Sequence, residues 1–168
     1  MKKENISDIN HLLEDERIMT IDEIITAIKN EYTGLVVREN WGETGVFYNP
    51  ESLLKKGIYL MTFKEKDGKH DASSNLKRKN VYRLNIGISK NTFLELFESI
   101  PKRPSAGEIV EMNFDFSQTN RIMPHPIYAW MKWVCILNPS HKTFQTLLLP
   151  LIHEGYLLAV EKYKKKKW

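Results

Sequence analysis

Apolar residues at helical spacing predict three helices. The first contains four isoleucines in the i, i+3, i+4, i+7 pattern of one helix face: Ile21, Ile24, Ile25 and Ile28. A capping box opens this segment, so we expect a helix over 20–31. Ser89 is a suitable N-cap for a second helix that runs to about Glu98, and Ser140 for a third. Pro150 lacks an amide donor, so it should kink or divide the third helix.

Strand-forming runs fill the interval between the first two helices, and short links join them: 35–38, 44–48, 57–63 and 81–88. The run 81–88 alternates cleanly. Arg83 and Asn85 fall on one face, whereas Leu84 and Ile86 fall on the other. This alternation predicts a sheet that is covered on one side and wet on the other.

The second half of the chain adds two strands. One is a weak run within 107–116, and the other is the short apolar run 133–137, with an irregular connection over 117–127. The order of elements is α-β-β-β-β-α-β-β-α. Because short links join successive strands, we predict the α+β class. The expected fold has two layers, an antiparallel sheet of five or six strands and helices packed on one face.

The predicted organisation is one domain with two appendages. Residues 1–18 form an N-terminal extension, which is either a short helix lying on the domain or a mobile segment. The domain spans 19–163, and residues 164–168 form a lysine-rich tail. The 25 basic and 21 acidic residues give a net charge of +4. Lys164–Lys167 account for this excess, which leaves 21 of each sign, so the rest of the chain is neutral overall.

The composition excludes several classes of protein. A single cysteine, Cys135, permits no intramolecular disulfide, which fits a reducing cytosol. The longest apolar runs are much shorter than the roughly 20 residues of a membrane span, and no run of signal-peptide length follows the start. The five histidines are scattered without metal-ligand spacing. We therefore expect a cytoplasmic protein with no membrane partner, no metal and no cofactor.

Six short motifs occur in the order found in a known family: Trp-Gly-Glu-Thr at 41–44, Phe-Tyr-Asn-Pro at 47–50, Lys-Glu-Lys-Asp-Gly at 64–68, Arg-Leu-Asn-Ile-Gly at 83–87, Met-Pro-His-Pro at 123–126, and Trp-Val-x-x-Leu-Asn-Pro at 133–139. From about residue 19, the chain resembles an uncharacterised bacterial family labelled domain of unknown function 6194. That resemblance implies membership in the family and no reaction.

A more distant resemblance connects the chain to YjbR/MmcQ-like bacterial proteins. It rests on Trp41-Gly42, the stretch 125–134 and the stretch 156–160. Gly155 departs from their pattern, which has Ser before the Tyr. The resemblance implies a YjbR-like two-layer fold with an antiparallel sheet. Some of these proteins are similar to a double-wing DNA-binding module, so it also implies a loose link to nucleic acid.

Two segments carry the chemistry of a candidate ligand site. In the first, Trp41 would form a pocket wall and Glu43 would act as an acceptor or base. The alternative is a tight turn with Trp41 packed in the core. In the segment 123–126, two prolines hold His125 in a loop. This histidine either takes part in acid–base chemistry or hydrogen-bonds the backbone of its own loop.

Other polar and aromatic residues have two interpretations. Arg83 and Asn85 either recognise a ligand across the open sheet face, or lie on a solvated face or beneath the N-terminal extension. The aromatic residues Tyr128, Trp130 and Trp133 are expected to belong to the core rather than to a stacking platform.

Residues 64–79 carry six basic side chains that would suit phosphate contacts: Lys64, Lys66, Lys69, Lys77, Arg78 and Lys79. The alternative is a charged, solvated loop. Without the four tail lysines the chain is neutral overall, which argues against nucleic-acid binding by electrostatics alone.

These patterns favour a non-enzymatic binding protein with a site for a small molecule or partner near Trp41, Glu43, Asn85 and His125. The alternative is a nucleic-acid-binding module that uses the 64–79 loop and the lysine tail. No catalytic constellation, such as Ser-His-Asp or Cys-His, has readable spacing. The ligand-site hypothesis fails if its four side chains do not converge on one concave pocket.

Overall fold

A six-stranded antiparallel sheet is the centre of the computed structural model, which describes residues 12–40 and 42–166. The strands in chain order are β1 (Leu35–Asn40), β2 (Glu43–Tyr48), β3 (Ile58–Lys64), β4 (Arg83–Gly87), β5 (Met123–Pro124) and β6 (Trp133–Leu137). Their order across the sheet is β1-β2-β3-β4-β6-β5, and all neighbours are antiparallel. The predicted α+β class with an antiparallel sheet is confirmed.

Helices pack against this sheet. Helix α1 spans Ile21–Glu31 and α2 spans Lys90–Phe97. The terminal helix, α3, consists of His141–Thr143, a π-helical turn at Phe144–Leu148, and Leu149–Lys164. Residues 12–16 are also helical. Within the described residues, none of the helices combines the length and the apolar character needed to cross a membrane.

The first two helices begin at the predicted caps. The Thr20 hydroxyl accepts the Glu23 amide at 3.2 Å, and the Glu23 carboxylate accepts the Thr20 amide at 3.4 Å. The Ser89 hydroxyl accepts the Thr92 amide at 3.2 Å. These bonds satisfy amides that have no partner inside the first helical turn.

Pro150 divides the terminal helix as predicted. The π-helical turn Phe144–Leu148 precedes it, and α-helical geometry resumes at Leu149. Proline offers no amide to the carbonyl four residues earlier, and its ring crowds that turn. Widening the turn before Pro150 accommodates both effects without ending the helix.

The stretch 107–116 contains no strand, so that prediction is wrong. The amides of Met112 and Phe114 bond to carbonyls only two residues before them, at 3.0 and 2.9 Å. Amides that are used locally cannot join a ladder. The fifth strand, Met123–Pro124, forms instead in the stretch that was expected to be irregular.

The residues after position 16 dock on the start of α3. The Met19 amide donates to the Pro139 carbonyl at 2.9 Å, and the His141 amide donates to the Arg17 carbonyl at 2.7 Å. The predicted extension falls largely on residues 1–11, and the tail includes 167 and 168. Both sets lie outside the described residues, so the predicted domain boundaries stay predictions.

The two faces of the sheet differ in chemistry. Residues paired across antiparallel strands share a face. One face, called the helix face here, carries apolar pairs of β3 and β4: Met61–Ile86 and Phe63–Leu84. The opposite loop face carries polar pairs: Thr62–Asn85 and Lys64–Arg83. Helix α3 packs on the helix face so closely that a Cβ at Gly155 would lie 2.9 Å from the Gly87 carbonyl oxygen.

The loop face is not wet, which contradicts the expectation from strand alternation. Arg83 and Asn85 expose only 1% and 2% of their surface. Loops from residues 64–79 and from the segment after β5 lie over them: Asp71 accepts hydrogen bonds from Arg83, and His125 contacts Arg83. The alternation correctly separated the two faces, but it carried no information about the loops that cover the polar one.

Candidate functional site

A cavity of about 690 Å³ opens on the loop face of the sheet. Four of the predicted ligand-binding residues line it: Glu43, Arg83, Asn85 and His125. Glu43 begins β2, Arg83 and Asn85 lie on β4, and His125 directly follows β5. The fifth, Trp41, lies outside the described residues. Residues separated by about 80 positions in the chain therefore converge on one concave surface.

Arg83 is the centre of the cavity floor. Its guanidinium donates to both carboxylate oxygens of Asp71, at 2.8 and 2.6 Å. It also donates to the Ser74 hydroxyl at 2.9 Å and, through Nε, to the Asn85 Oδ1 at 2.8 Å. The side chain thus ties the 64–79 loop to the sheet. A buried guanidinium requires such a planar, bidentate partner.

The pair of Arg83 and Asp71 is held in its charged form. Burial alone would raise the pKa of Asp71, but the hydrogen bonds and positive charge of Arg83 outweigh it, so the pKa is lowered. Burial would likewise lower the pKa of Arg83, and the bonds and charge of Asp71 raise it instead. The floor therefore contains a fixed ion pair with no net charge.

Asn85 extends this network to β3. Its Oδ1 accepts from Arg83, so its Nδ2 must face Thr62, and it donates to the Thr62 Oγ1 at 3.0 Å. Arginine has no acceptor atom, which fixes the orientation of the amide. The order of donation runs from Arg83 through Asn85 to Thr62.

His125 bonds to its own loop, as one of its two interpretations predicts. Its Nδ1 accepts from the amides of Ile127 and Tyr128, each at 3.0 Å. Its Nε2 lies 3.4 Å from the Nη2 of Arg83. Burial, reinforced by the Arg83 charge, lowers the pKa of His125 to about 3. The ring is therefore neutral at pH 7 and presents its second nitrogen to the cavity floor.

Aromatic side chains form part of the cavity wall, which contradicts their assignment to the core. Tyr128 is 49% exposed, and Trp130 and Trp133 are half-buried, and all three line the cavity. The Arg103 guanidinium lies over the Trp130 ring, 4.9 Å from its centroid. These residues place flat apolar surface next to the polar floor.

Glu43 and Lys64 carry opposite charges at the cavity and are partners in the β2–β3 register. Within the described part of the chain, neither forms an ion pair of 4.0 Å or less. The Lys64 charge helps to lower the pKa of both Asp71 and His125. Each side chain is only half-buried, so both are available to a molecule in the cavity.

The basic residues of the 64–79 loop have different environments. Lys66, Lys69, Lys77 and Lys79 are exposed. Arg78 instead donates to three backbone carbonyls, those of Asn75, Ser74 and Ser117, at 2.8 to 3.0 Å. Lys64 lines the cavity. The loop is therefore an ordered cover of the sheet with lysines on its outer surface.

Sequence reasoning missed Asp71 and Thr62. Thr62 is the polar exception in the otherwise apolar run 57–63, and that exception was a usable signal. Asp71 follows no local pattern. Only the rule that a buried arginine needs a carboxylate would have led to it.

The described residues contain no group of three or more His, Cys, Asp or Glu side chains that could hold a metal ion. The thiol of Cys135 is buried in the sheet, and burial raises its pKa to about 12. It is therefore a neutral packing group at pH 7 and not a nucleophile.

Residues 19–168 match the model of a family of unknown function, DUF6194. The chain belongs to this family. No curated protein and no solved structure shows a significant match to it. The predicted resemblance to YjbR/MmcQ-like proteins therefore stays a prediction, while the DUF6194 match includes every cavity residue named above.

Proposed function

We propose that this DUF6194 chain binds a small molecule in the loop-face cavity and does so without catalysing a reaction. The observation that carries the proposal is the convergence of Glu43, Arg83, Asn85 and His125 on one concave surface. A volume of about 690 Å³ falls within the range of roughly 300–1,000 Å³ that is usual for ligand sites.

The composition of the cavity supports this proposal. Ligand sites typically combine apolar and aromatic walls with a few fixed polar groups that orient the ligand. Here Trp130 and Trp133 contribute to the wall, and the network of Arg83, Asn85 and His125 forms the floor. The floor groups are held in place by their own hydrogen bonds, so a ligand would meet preorganised partners.

The chemistry of the floor favours binding over catalysis. The lowered pKa of His125 makes it a poor proton acceptor at neutral pH. Its ring nitrogens lie next to Arg83 and two backbone amides within the described chain, and none of these is a hydroxyl or thiol nucleophile. The ion pair of Arg83 and Asp71 is already satisfied and holds a loop in place.

A thermal-shift screen of small aromatic molecules tests the proposal, because a ligand that binds only the folded state raises Tm by mass action. We expect at least one molecule to raise Tm in a concentration-dependent manner. Glu43→Ala removes a charge from the cavity and should change the size of that shift. Glu95→Ala, at an exposed position on α2, is the matched control and should leave it unchanged. A shift of equal size in the Glu43 variant would reject this cavity as the site.

The alternative function is nucleic-acid binding by the 64–79 loop, and it is supported by the four exposed lysines on that loop. Its test is binding to duplex and single-stranded DNA at low salt, with and without Lys77→Ala and Lys79→Ala. Phosphate contacts predict an affinity that falls steeply with salt and weakens in the variant. Absence of binding at low salt would reject this alternative.

A further inference from the structure

The protonation of His125 follows from its hydrogen bonds. Its Nδ1 accepts from two backbone amides, so this nitrogen carries no proton. In the neutral ring the proton must then reside on Nε2. That nitrogen is 3.4 Å from the Arg83 Nη2, which also carries protons. Two donors cannot bond to each other, so this contact satisfies neither group.

The hydrogen bonds of the five Arg83 N–H groups leave one of these groups without an acceptor in the described part of the chain. Four of them donate to Asp71, Ser74 and Asn85. For the fifth, on Nη2, the His125 Nε2 is the remaining atom within hydrogen-bond distance among the described residues. Arg83 and His125 expose 1% and 3% of their surface, yet each presents a donor with no acceptor. Buried donors without acceptors are costly, and a bound molecule would relieve that cost.

Thr62, at the other end of the network, also presents a hydrogen-bond donor without an acceptor among the described residues. The Thr62 Oγ1 accepts from Asn85, and the Thr62 hydroxyl has no acceptor of its own within the described chain. Both oxygens of Asp71 are occupied by Arg83. Each of these oxygens already accepts a hydrogen bond, whereas the donors on Arg83, His125 and Thr62 have no acceptor within the described chain.

We infer that the cavity floor recognises the carbonyl or carboxylate oxygen of a small aromatic molecule, with Arg83, His125 and Thr62 as the donors. This inference rests on the proposed function and specifies the ligand chemistry of the same site. The oxygen of the ligand accepts from the floor, while its ring lies against the wall that includes Trp130 and Trp133. The paired charge of Asp71 leaves the floor without net charge, so a carboxamide and a carboxylate are both accommodated.

Three probes with the same ring test this inference: benzoate, benzamide and benzylamine. We expect benzoate or benzamide to raise Tm and to bind in a saturable manner by tryptophan fluorescence, and benzylamine to do neither. If benzylamine binds and both oxygen-bearing probes do not, the inference is wrong and the proposed function survives. If none of the three probes binds at millimolar concentration, the inference and the proposed function are both rejected for small aromatic molecules.

Two pairs of variants locate the donors. Thr62→Val removes the hydroxyl with little change of shape, and Thr62→Ser keeps it. His125→Asn keeps an acceptor for the loop amides and removes the Nε2 donor, whereas Glu95→Gln serves as the surface control. For the probe that binds, we expect Thr62→Val and His125→Asn each to weaken affinity about three- to tenfold, the size of one lost hydrogen bond. Equal affinity in Thr62→Val and Thr62→Ser, with no effect of His125→Asn, would overturn the assignment.

Discussion

The two faces of the sheet are both buried, but they are buried in different ways. On the helix face, Leu84 and Ile86 are covered by packed apolar side chains and expose at most 1% of their surface. On the loop face, Arg83 and Asn85 are almost as deeply buried, but their polar groups form hydrogen bonds, from Arg83 to Asn85 and from Arg83 to Asp71. Neighbouring residues of one strand thus belong to a packed core and to the floor of a cavity.

Under the proposed function, this difference assigns stability to one face and ligand recognition to the other. At the centre of the helix face, apolar side chains pack directly on Leu84 and Ile86 and leave both fully buried. A polar network is stabilised by specific hydrogen bonds and does not need close packing on all sides. On the loop face, a cavity lies above the network. Each of the following changes breaks one side of this comparison, beginning with the largest expected effect.

Arg83→Met should be the most destabilising single change on the loop face. It leaves the Asp71 carboxylate without the partner that stabilises its charge, at a site where that partner is buried. We expect the free energy of unfolding to fall by about 3–5 kcal/mol, measured by urea denaturation. A loss below about 1 kcal/mol would show that the network contributes little to the fold.

Leu84→Ala makes the corresponding change on the helix face. The side chain is fully buried, so its truncation leaves a gap, and the free energy of unfolding should fall by about 3 kcal/mol. Because the residue faces away from the cavity, the affinity for the probe that binds best should not change. A large loss of affinity in this variant would show that the two faces are not independent.

His125 gives the loop face a pH dependence at acidic pH. Its pKa is lowered to about 3 in the folded state, so between pH 6.5 and pH 3 the unfolded chain binds a proton that the folded chain does not. Stability should therefore fall as the pH falls through this window, by up to about 1.4 kcal/mol per pH unit. Urea denaturation gives the free energy of unfolding at each pH from 7 to 4. This free energy should change less with pH in His125→Asn than in the unmodified protein. An equal dependence on pH in the two proteins would contradict the assignment.

The smallest effects are expected on the outer surface of the 64–79 loop. Lys77→Ala and Lys79→Ala should each change the free energy of unfolding by less than about 0.5 kcal/mol, because both side chains are exposed. Arg78→Ala should cost more, since it removes donors to three carbonyls. Equal losses at all three positions would show that the loop is not held by Arg78.

The sequence predicted most of the sheet and the helices because local rules decide them. The capping box at Thr20 and the division at Pro150 depend only on neighbouring residues. The alternation of Arg83 with Leu84 separated the two faces correctly. It could not show that the polar face is covered, because coverage depends on loops whose paths follow no periodicity.

The candidate site was predictable in part for the same reason. Glu43, Arg83, Asn85 and His125 drew attention as polar residues in strands or restrained loops, and they do meet. Asp71, which fixes the floor, lies in an irregular loop where no spacing marks it. Tyr128 and Trp130 were expected in the core because large aromatic residues are usually buried, whereas here they form the wall of the cavity.

The proton on the His125 Nε2 is the most direct test of the central claim, that donors on the cavity floor bind the oxygen of a ligand. Nitrogen-15 NMR of the histidine side chains, assigned with His125→Asn, reports which nitrogen is protonated. We expect the proton on Nε2 at neutral pH and a saturable shift of its signal when benzoate or benzamide is added. A proton on Nδ1, or an Nε2 signal that neither probe moves, would contradict the claim.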